Sequence, residues 1–565
     1  MKLEDASSGS LGPVIEVIQS ILNRTGYILP ALLLFIIALA IKYPNRLPGT
    51  IDPKYRPGVY FPPGADPLIG HTRMIVGFGS EGQFENFKAL SDATPAGSWN
   101  VSFLGTSSMT FVNRPEYLEY IQKTNFDNFP KGSQFTGRLG DLLGVTGIFV
   151  ADGHPWKTQR KQASHMFSNR EFNTWVRAVI HNELDDISAL LDNVTTKNGP
   201  GKLILPELMF RYTLSSFAKM AFAANLNCLS PDPDSLERPV PFAVAFDRAQ
   251  AIINDRFITP GWYIWEKFNK TGRDMRSSIK TIREFGLDII HKRLAERQDE
   301  KKDPLAPVEG TKKEQLKKEG KDLLDFFMDL TTDPEELLIV VLNFIIAGRD
   351  TTAQSLSWLF YELMAHPEHV PKIRKEIADK FGEPEGGVRL DYESFRELPY
   401  TVACLHEAIR LHPAVPKNGK AVTKDDVIIP QGPNPDNLPP VRVFAGERVG
   451  WSDWVMARTP AIWGADCEEY NPSRFLETDE TGKLHLKNFG QWKSHYFNAG
   501  PRLCLGMNLA TYEATAFIAA VLPRFDFEWA TAAQGQKSAW PPQYANSVTH
   551  PIKDPYLVNV TRNKA

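Results

Sequence analysis

The chain has little cysteine: four residues in 565, at positions 228, 404, 467 and 504. They form no C-x-x-C pair and no C-x-x-C-H motif of covalent haem attachment, which excludes a disulfide scaffold and points to a reducing compartment. Three of the four are expected to be structural, as small buried hydrophobes. An excess of charge is also lacking, since 64 Lys and Arg stand against 67 Asp and Glu. With no global field of either sign, small molecules are expected as partners and nucleic acid is not. The twelve histidines form no cluster of metal-ligand boxes, which argues against di-iron membrane chemistry. No repeat of fixed period is apparent. No flavin or nicotinamide segment is recognisable, and nothing in the middle reads as a linker.

What is present is enough for one large core, with 42% hydrophobic and 11% aromatic residues. Residues 1–24 are read as a short luminal N-terminus. From Tyr27 to Ile41 run fifteen apolar residues, extending to nineteen over Thr25 to Tyr43 if Lys42 snorkels. That is close to the ~20 a membrane-spanning helix needs. A signal peptide would require a small-residue cleavage site, but Lys42-Tyr-Pro-Asn-Arg46 follows instead, so a retained span over 25–43 is expected. Lys42, Arg46, Lys54 and Arg56 follow it and only Lys2 and Arg24 precede it, which puts the body in the cytosol. The Asn23-Arg24-Thr25 sequon is then luminal and a candidate for glycosylation, unlike those at Asn100, Asn193, Asn269 and Asn559. Repeated prolines make 44–70, and RPGVYFPPGADPLIG at 56–70 above all, a stiff hinge before a body over 71–565.

Spacings of three and four predict helices over 172–192, 204–224, 277–297, 334–365 and 505–522, while β-prone runs such as 426–430 and 441–444 are short and few. The expectation is a mainly α fold with small β-sheets. The charge run from Arg297 to Lys321 reads as a solvated loop.

The most informative stretch is FNAGPRLCLG, Phe497 to Gly506. Gly500 permits a tight turn, and Gly506 removes a side chain where a helix departs. Arg502 offers a fixed fork to a carboxylate, and a thiolate at Cys504 could ligate iron. The stretch matches F-x-x-G-x-R-x-C-x-G at every fixed position, and so resembles the cysteine loop of the cytochrome P450 family. The resemblance implies that Cys504 is the axial ligand of a non-covalent haem b, with Phe497 beside it and Arg502 at a propionate.

Further motifs follow in the family's order. In LNFIIAGRDTTAQSLSWLF small and hydroxylic residues interrupt an apolar helix at Ala347 to Thr352, so a local opening is expected. A Thr-Thr pair in a buried helix ordinarily bonds back to the preceding turn. AGRDTT, however, is similar to the family's oxygen-handling helix, which implies that Asp350 and Thr351 deliver protons. Glu407 and Arg410, one turn apart, resemble the E-x-x-R pair, joined in the family by an arginine that corresponds to Arg474 in NPSRF. Ser473 replaces the usual acidic residue there. Trp156 and Arg160 resemble the W-x-x-x-R that reaches a haem propionate, and Lys420 falls where relatives often carry a propionate-binding arginine.

The resemblance spans nearly the whole chain. LNFIIAGRDTTA, LHEAIRLHPAVP and WGADCEEYNPSRF look most like the fungal and plant branch that hydroxylates fatty acids and alkanes. A cytochrome P450-like fold behind a membrane anchor is therefore expected, in the endoplasmic reticulum membrane. Its electrons would come from NADPH through a cytochrome P450 reductase, with cytochrome b5 as a further partner. Terminal or near-terminal hydroxylation of a fatty acid or alkane is the expected activity. A terpenoid or other secondary metabolite is the rival substrate; a reductase-independent isomerase or peroxygenase, or a haem sensor, is the rival class. By analogy the pocket wall comes from 128–150, 242–262, 343–351, 414–418 and 545–550, with Phe246, Ile345, Val415 and Val548 among its apolar members.

Overall fold

The structure is a computed structural model. It describes residues 26–28, 30–35, 37–38 and 56–563, apart from breaks at 67–68, 80–81, 104–105, 168–174, 196–199, 303–321, 384–386 and 531–542. Asn23 and most of the expected hinge before Arg56 lie outside these residues. The expected span lies partly outside them; its described residues 26–28, 30–35 and 37–38 are helical and exposed. Among the described residues no helix is long and apolar enough to cross a membrane.

Helices dominate. Among them are α1 (Gly132–Leu143), α2 (Gly153–Ser164), α3 (Arg177–Thr195), α4 (Leu205–Phe222), α5 (Pro241–Arg256), α6 (Lys270–Lys302), α7 (Pro334–Ile345), α8 (Thr351–Ala365), α9 (Pro399–Leu411) and α10 (Met507–Val521). Start signals explain several of them. Asp333 caps α7 by accepting from the Glu335 N–H, with Pro334 in the first turn where its missing donor costs nothing. From Leu337 to Ile345 nearly every α7 residue is buried, and in α10 everything from Thr511 to Val521 is. Helices apolar on all faces belong in the middle of a large core. The predicted helices are present among the described residues, residues 172–174 of the first lying outside them, with two differences. The 334–365 helix is two helices joined by a π-turn at Ile346–Asp350. The charge run is helical at its start, because α6 continues to Lys302; the rest lies outside the described residues.

The sheets are more extensive than the two expected strands suggest. β1 (Ser98–Phe103), β2 (Thr106–Val112), β4 (Asn418–Ala421) and β7 (Arg448–Trp451) form one sheet in the order β1-β2-β7-β4. β3 (Gly201–Ile204), β10 (Phe525–Trp529) and β11 (Leu557–Arg562) form a second, with β11 in the middle. The expected strands appear as β5 (Asp426–Ile428) and β6 (Val441–Val443), paired antiparallel, and β8 (Leu476–Thr478) pairs with β9 (Leu484–Leu486). Residues 56–66 and 69–70, expected as part of the hinge, are docked on the first sheet. Tyr60 bridges to Trp99, Gly70 to Phe103, and buried Arg56 pairs with Glu447 at 2.6 Å. Asn100 is fully buried in β1, so its sequon is closed to a glycan.

Candidate active site

The cysteine loop is held by its own backbone. The Cys504 N–H donates to the Phe497 carbonyl at 2.9 Å and the Leu503 N–H to that of Gly500 at 3.0 Å. Gly500 has φ +60°, and a Cβ there would meet the Gln122 carbonyl oxygen at 2.7 Å, so only glycine fits. At Gly506 the situation is different. A Cβ would find only Phe167 at 3.7 Å and the Cys504 Sγ at 3.9 Å. No protein atom forbids it, which leaves the occupant of the adjacent space as the reason for a glycine. Although its side chain opens onto a cavity, desolvation by the surrounding chain pushes the Cys504 thiol up, opposed by the Gly506 N–H and the Arg160 charge. Cys228, Cys404 and Cys467 are buried, whereas Cys504 is exposed, and it lines a cavity.

That cavity has a volume of about 570 Å³ and also contains Phe497, Trp156, Thr351, Val415 and Val548 in its wall. Around Cys504 the wall is cationic. The Arg502 guanidinium lies 4.2 Å over the Trp156 ring and donates to Asp152 at 3.0 Å and to the Ala151 carbonyl at 2.7 Å. Arg160 donates to the Leu503 carbonyl at 2.7 Å. β4 pairs with β7 so that Lys420 faces Val449 across the ladder, and its buried Nζ has no hydrogen-bond partner. Burial, with Arg502 adding to it, pushes the Lys420 ammonium down to about 7. Lys131, which sequence reasoning missed, joins this group through Asn418 at 2.8 Å and is depressed by burial and by Lys420. Three cations around one acid, Asp152, with Arg160 beside Arg502 and one buried ammonium left unsatisfied, call for an anion. A haem, with its two carboxylates, fits: Arg502, Lys420, Trp156 and Arg160 would hold it at its edge and Cys504 at its metal.

The expected opening is the π-turn. Gly348 is required by close helix packing, because a Cβ there would collide with the Phe217 ring of α4 at 2.0 Å. The Thr351 hydroxyl lines the cavity but donates to the Ala347 carbonyl at 2.6 Å, the back-bond ordinary for a buried threonine. Asp350 is turned away. It is buried, accepts from Arg349 at 2.9 Å and from Gln250 at 2.7 Å, and is absent from the cavity wall. Arg349 in turn reaches Asp247 at 2.6 Å. Burial pushes the Asp350 carboxyl up to about 6 against the pull of Arg349. Its polar contact with the cavity runs through Gln250 toward Thr549, which lines the wall.

Glu407, Arg410 and Arg474 come together as a buried triad. Arg410 donates to Glu407 at 2.6 and 2.8 Å, and Arg474 at 3.4 Å. Arg474 leans more strongly on Asp466, at 2.8 Å, and Arg410 also ties down the Cys467 carbonyl. The triad lies away from the cavity wall and fixes the segment Cys467–Arg474 under α9. Of the four named pocket residues, Val415 and Val548 line the cavity. Phe246 and Ile345 do not: both are packed in the core, Phe246 against Phe242. Instead Phe344, Ile346 and Ala347 represent that helix, and Ile75, Phe87 and Phe111 add a wall that no motif announced.

A sequence profile of the family described as "Cytochrome P450" matches residues 62–555. The chain is 35% identical to "Cytochrome P450 monooxygenase cyp1" of Mycosarcoma maydis, over 99% of this chain and 84% of that protein. It is 33% identical to "Cytochrome P450 94B3" of Arabidopsis thaliana, over 87% and 91%, and 32% identical to "Cytochrome P450 86B1" of the same plant, over 81% and 79%.

Proposed function

The chain belongs to the cytochrome P450 monooxygenase family, and on that premise we propose that it hydroxylates a medium- or long-chain fatty acid or alkane at or near its far end. Membership brings a haem iron, a redox partner that supplies electrons, and a hydrophobic substrate. The observation that carries the finer reading is a single cavity that joins Cys504 to Thr351 and continues between apolar side chains such as Val415, Val548, Phe87 and Ile75.

When bound, the haem iron with its Cys504 thiolate supplies the activation of dioxygen for insertion into a C–H bond. This chain's residues do the rest. Arg502, Lys420, Trp156 and Arg160 hold the carboxylate edge, and Phe497 and the Gly506 space seat the face. Thr351 keeps its proton on the Ala347 carbonyl and offers lone pairs to a donor in the cavity. Asp350, held by Arg349 and Gln250 and raised by burial to about 6, serves as the proton reserve. Val415 and its neighbours exclude water and limit which carbon approaches.

The electrons come from NADPH through a cytochrome P450 reductase, with cytochrome b5 as a second donor. The protein sits in the endoplasmic reticulum membrane on one span at 25–43, its body in the cytosol and Asn23 in the lumen. Supporting the anchor, the described part of that segment is a helix with its apolar side chains out, Tyr27 79% and Leu34 66% exposed. Incubation with reductase, NADPH and a panel of fatty acids, alkanes and terpenoids, read by mass spectrometry, tests the assignment. Chain-terminal alcohols are the expected products; oxidised terpenoids alone would reject the substrate.

A further inference from the structure

Beyond the cations that the haem accounts for, the cavity wall carries Arg138 and Arg448, which act on one another, and Lys417. Lys131, Lys420 and Arg502 act on one another electrostatically beside Cys504. Lys417 lines the same cavity but is outside that group. The charge that acts on it is Asp255, at the end of α5, and its neighbours are Gln83 and Phe84 from the helix Gln83–Asp92.

Its only hydrogen bond among the described residues goes to the side-chain carbonyl of Gln83, a neutral acceptor that is itself buried. No carboxylate of the described residues lies within ion-pair reach of it. Two of the three acids of the wall are matched, and the third, Glu513, accepts from the Ser216 hydroxyl. Glu447 is matched by Arg56 at 2.6 Å and Asp453 by His495 at 2.6 Å. Asp255 itself accepts from Asn546 at 2.8 Å. Burial pushes the Lys417 ammonium down to about 8, with Asp255 opposing. A half-buried ammonium whose one hydrogen bond goes to a neutral oxygen gains from an anion that arrives beside it. The side chains that share the cavity with it, Ile75, Phe87, Val415 and Val548, accept hydrocarbon.

We infer that Lys417 is the carboxylate anchor of the substrate site, so that the cavity selects acidic amphiphiles over esters and alkanes of equal length. This rests on the fatty-acid reading above and sharpens it. Gln83 holds the ammonium in place while the site is empty, and a carboxylate arriving with its chain gains a charge-assisted pair inside the enclosure. Fixing the head at Lys417 sets which carbon along the chain reaches the metal end of the cavity.

The test is a spectral titration of the haem-loaded full chain with palmitic acid and with methyl palmitate, for the unaltered protein, Lys417→Met and Lys417→Arg. The ferrous carbon monoxide spectrum confirms an intact haem site in each. The unaltered protein should bind the acid more tightly than the ester. K417M should weaken the acid about ten- to a hundredfold, the loss of one buried charged hydrogen bond, and leave the ester within about twofold. K417R should retain most of the acid preference. An acid preference that survives in K417M, or an equal loss for acid and ester, overturns the anchor while leaving the fatty-acid reading intact. If K417M does not load haem, K417Q takes its place under the same criteria. If neither acid nor ester binds the unaltered protein while a terpenoid does, the substrate reading fails and the anchor with it.

Discussion

Lys420 shows how a single side chain can report on an absent partner. Burial and the Arg502 charge depress its ammonium to about 7 from an ordinary 10.5. The unfolded chain therefore binds a proton that the folded chain does not between these values, and stability climbs with pH across that window. Haem-free Lys420→Met should be more stable than the unaltered haem-free protein near pH 7, with the advantage shrinking by about pH 10, as read by denaturant unfolding. With haem bound the order should reverse: K420M should surrender haem to excess apomyoglobin about tenfold faster, because a propionate has lost its cation. Equal haem loss would remove Lys420 from the site. The distal residues differ from one another in a way the AGRDTT wording conceals. Thr351 faces the cavity and Asp350 does not, so Thr351→Ala should lower product formed per NADPH by about tenfold or more and release hydrogen peroxide. Asp350→Asn keeps the shape but loses the titrating group, so it should slow turnover while leaving coupling closer to normal. Identical behaviour of the two variants would mean they act as one unit, as the motif alone suggests.

At the scale of elements, the π-turn at Ile346–Asp350 passes close to α4. Gly348 lets them touch at Phe217. Gly348→Ala should therefore cost about 1–3 kcal/mol by overpacking, read as a lower unfolding midpoint at the Soret band, and Phe217→Leu in the same chain should restore part of it. A full-strength loss that F217L does not relieve would place the strain elsewhere. This element was legible in the sequence, since small and hydroxylic residues inside an apolar helix announce a weakness. Its outcome for Asp350 was not, because the rotation imposed by one extra residue per turn sends that carboxylate to Arg349 and Gln250. The helices were legible for the same reason throughout: apolar spacing of three and four is local. The first sheet was not. β1 and β2 pair locally, but β4 and β7 join them from more than 300 residues away, and such short strands carry little periodicity of their own. The buried triad could be anticipated only through the family wording, since Glu407 and Arg410 one turn apart look like any surface pair. Their burial is a property of the segment laid across them. Phe246 and Ile345 show the converse error, for an apolar residue in the right interval faces the core as readily as the cavity.

For the molecule as a whole, the described residues from Arg56 onward carry every side chain around Cys504, and the proposed role of the N-terminal segment is that of an anchor. Deleting residues 1–43 should reduce membrane association in flotation assays while leaving the ferrous carbon monoxide band unchanged, because every residue around Cys504 belongs to the body. Loss of haem would make the segment part of the fold. The choice of substrate is also a property of the whole, since helices, the first sheet and the 545–550 segment all contribute wall. Apolar area buried in such a cavity contributes about 25 cal/mol per Å², or about 0.8 kcal/mol for each methylene. Across a homologous series of fatty acids the spin-state dissociation constant should thus fall by roughly three- to fourfold per methylene at most, then level off once the chain fills the cavity. The length at which it levels measures the distance from head to reacting end, and a bulky change at Val415 should shorten that length and move the hydroxyl along the chain. A rigid polycyclic lipid fills the same walls without any such dependence on length. A flat response across the acids, together with tight binding of a terpenoid, would exchange the substrate and keep the chemistry, because Cys504, Thr351 and the cations beside them are indifferent to the shape of the hydrocarbon above.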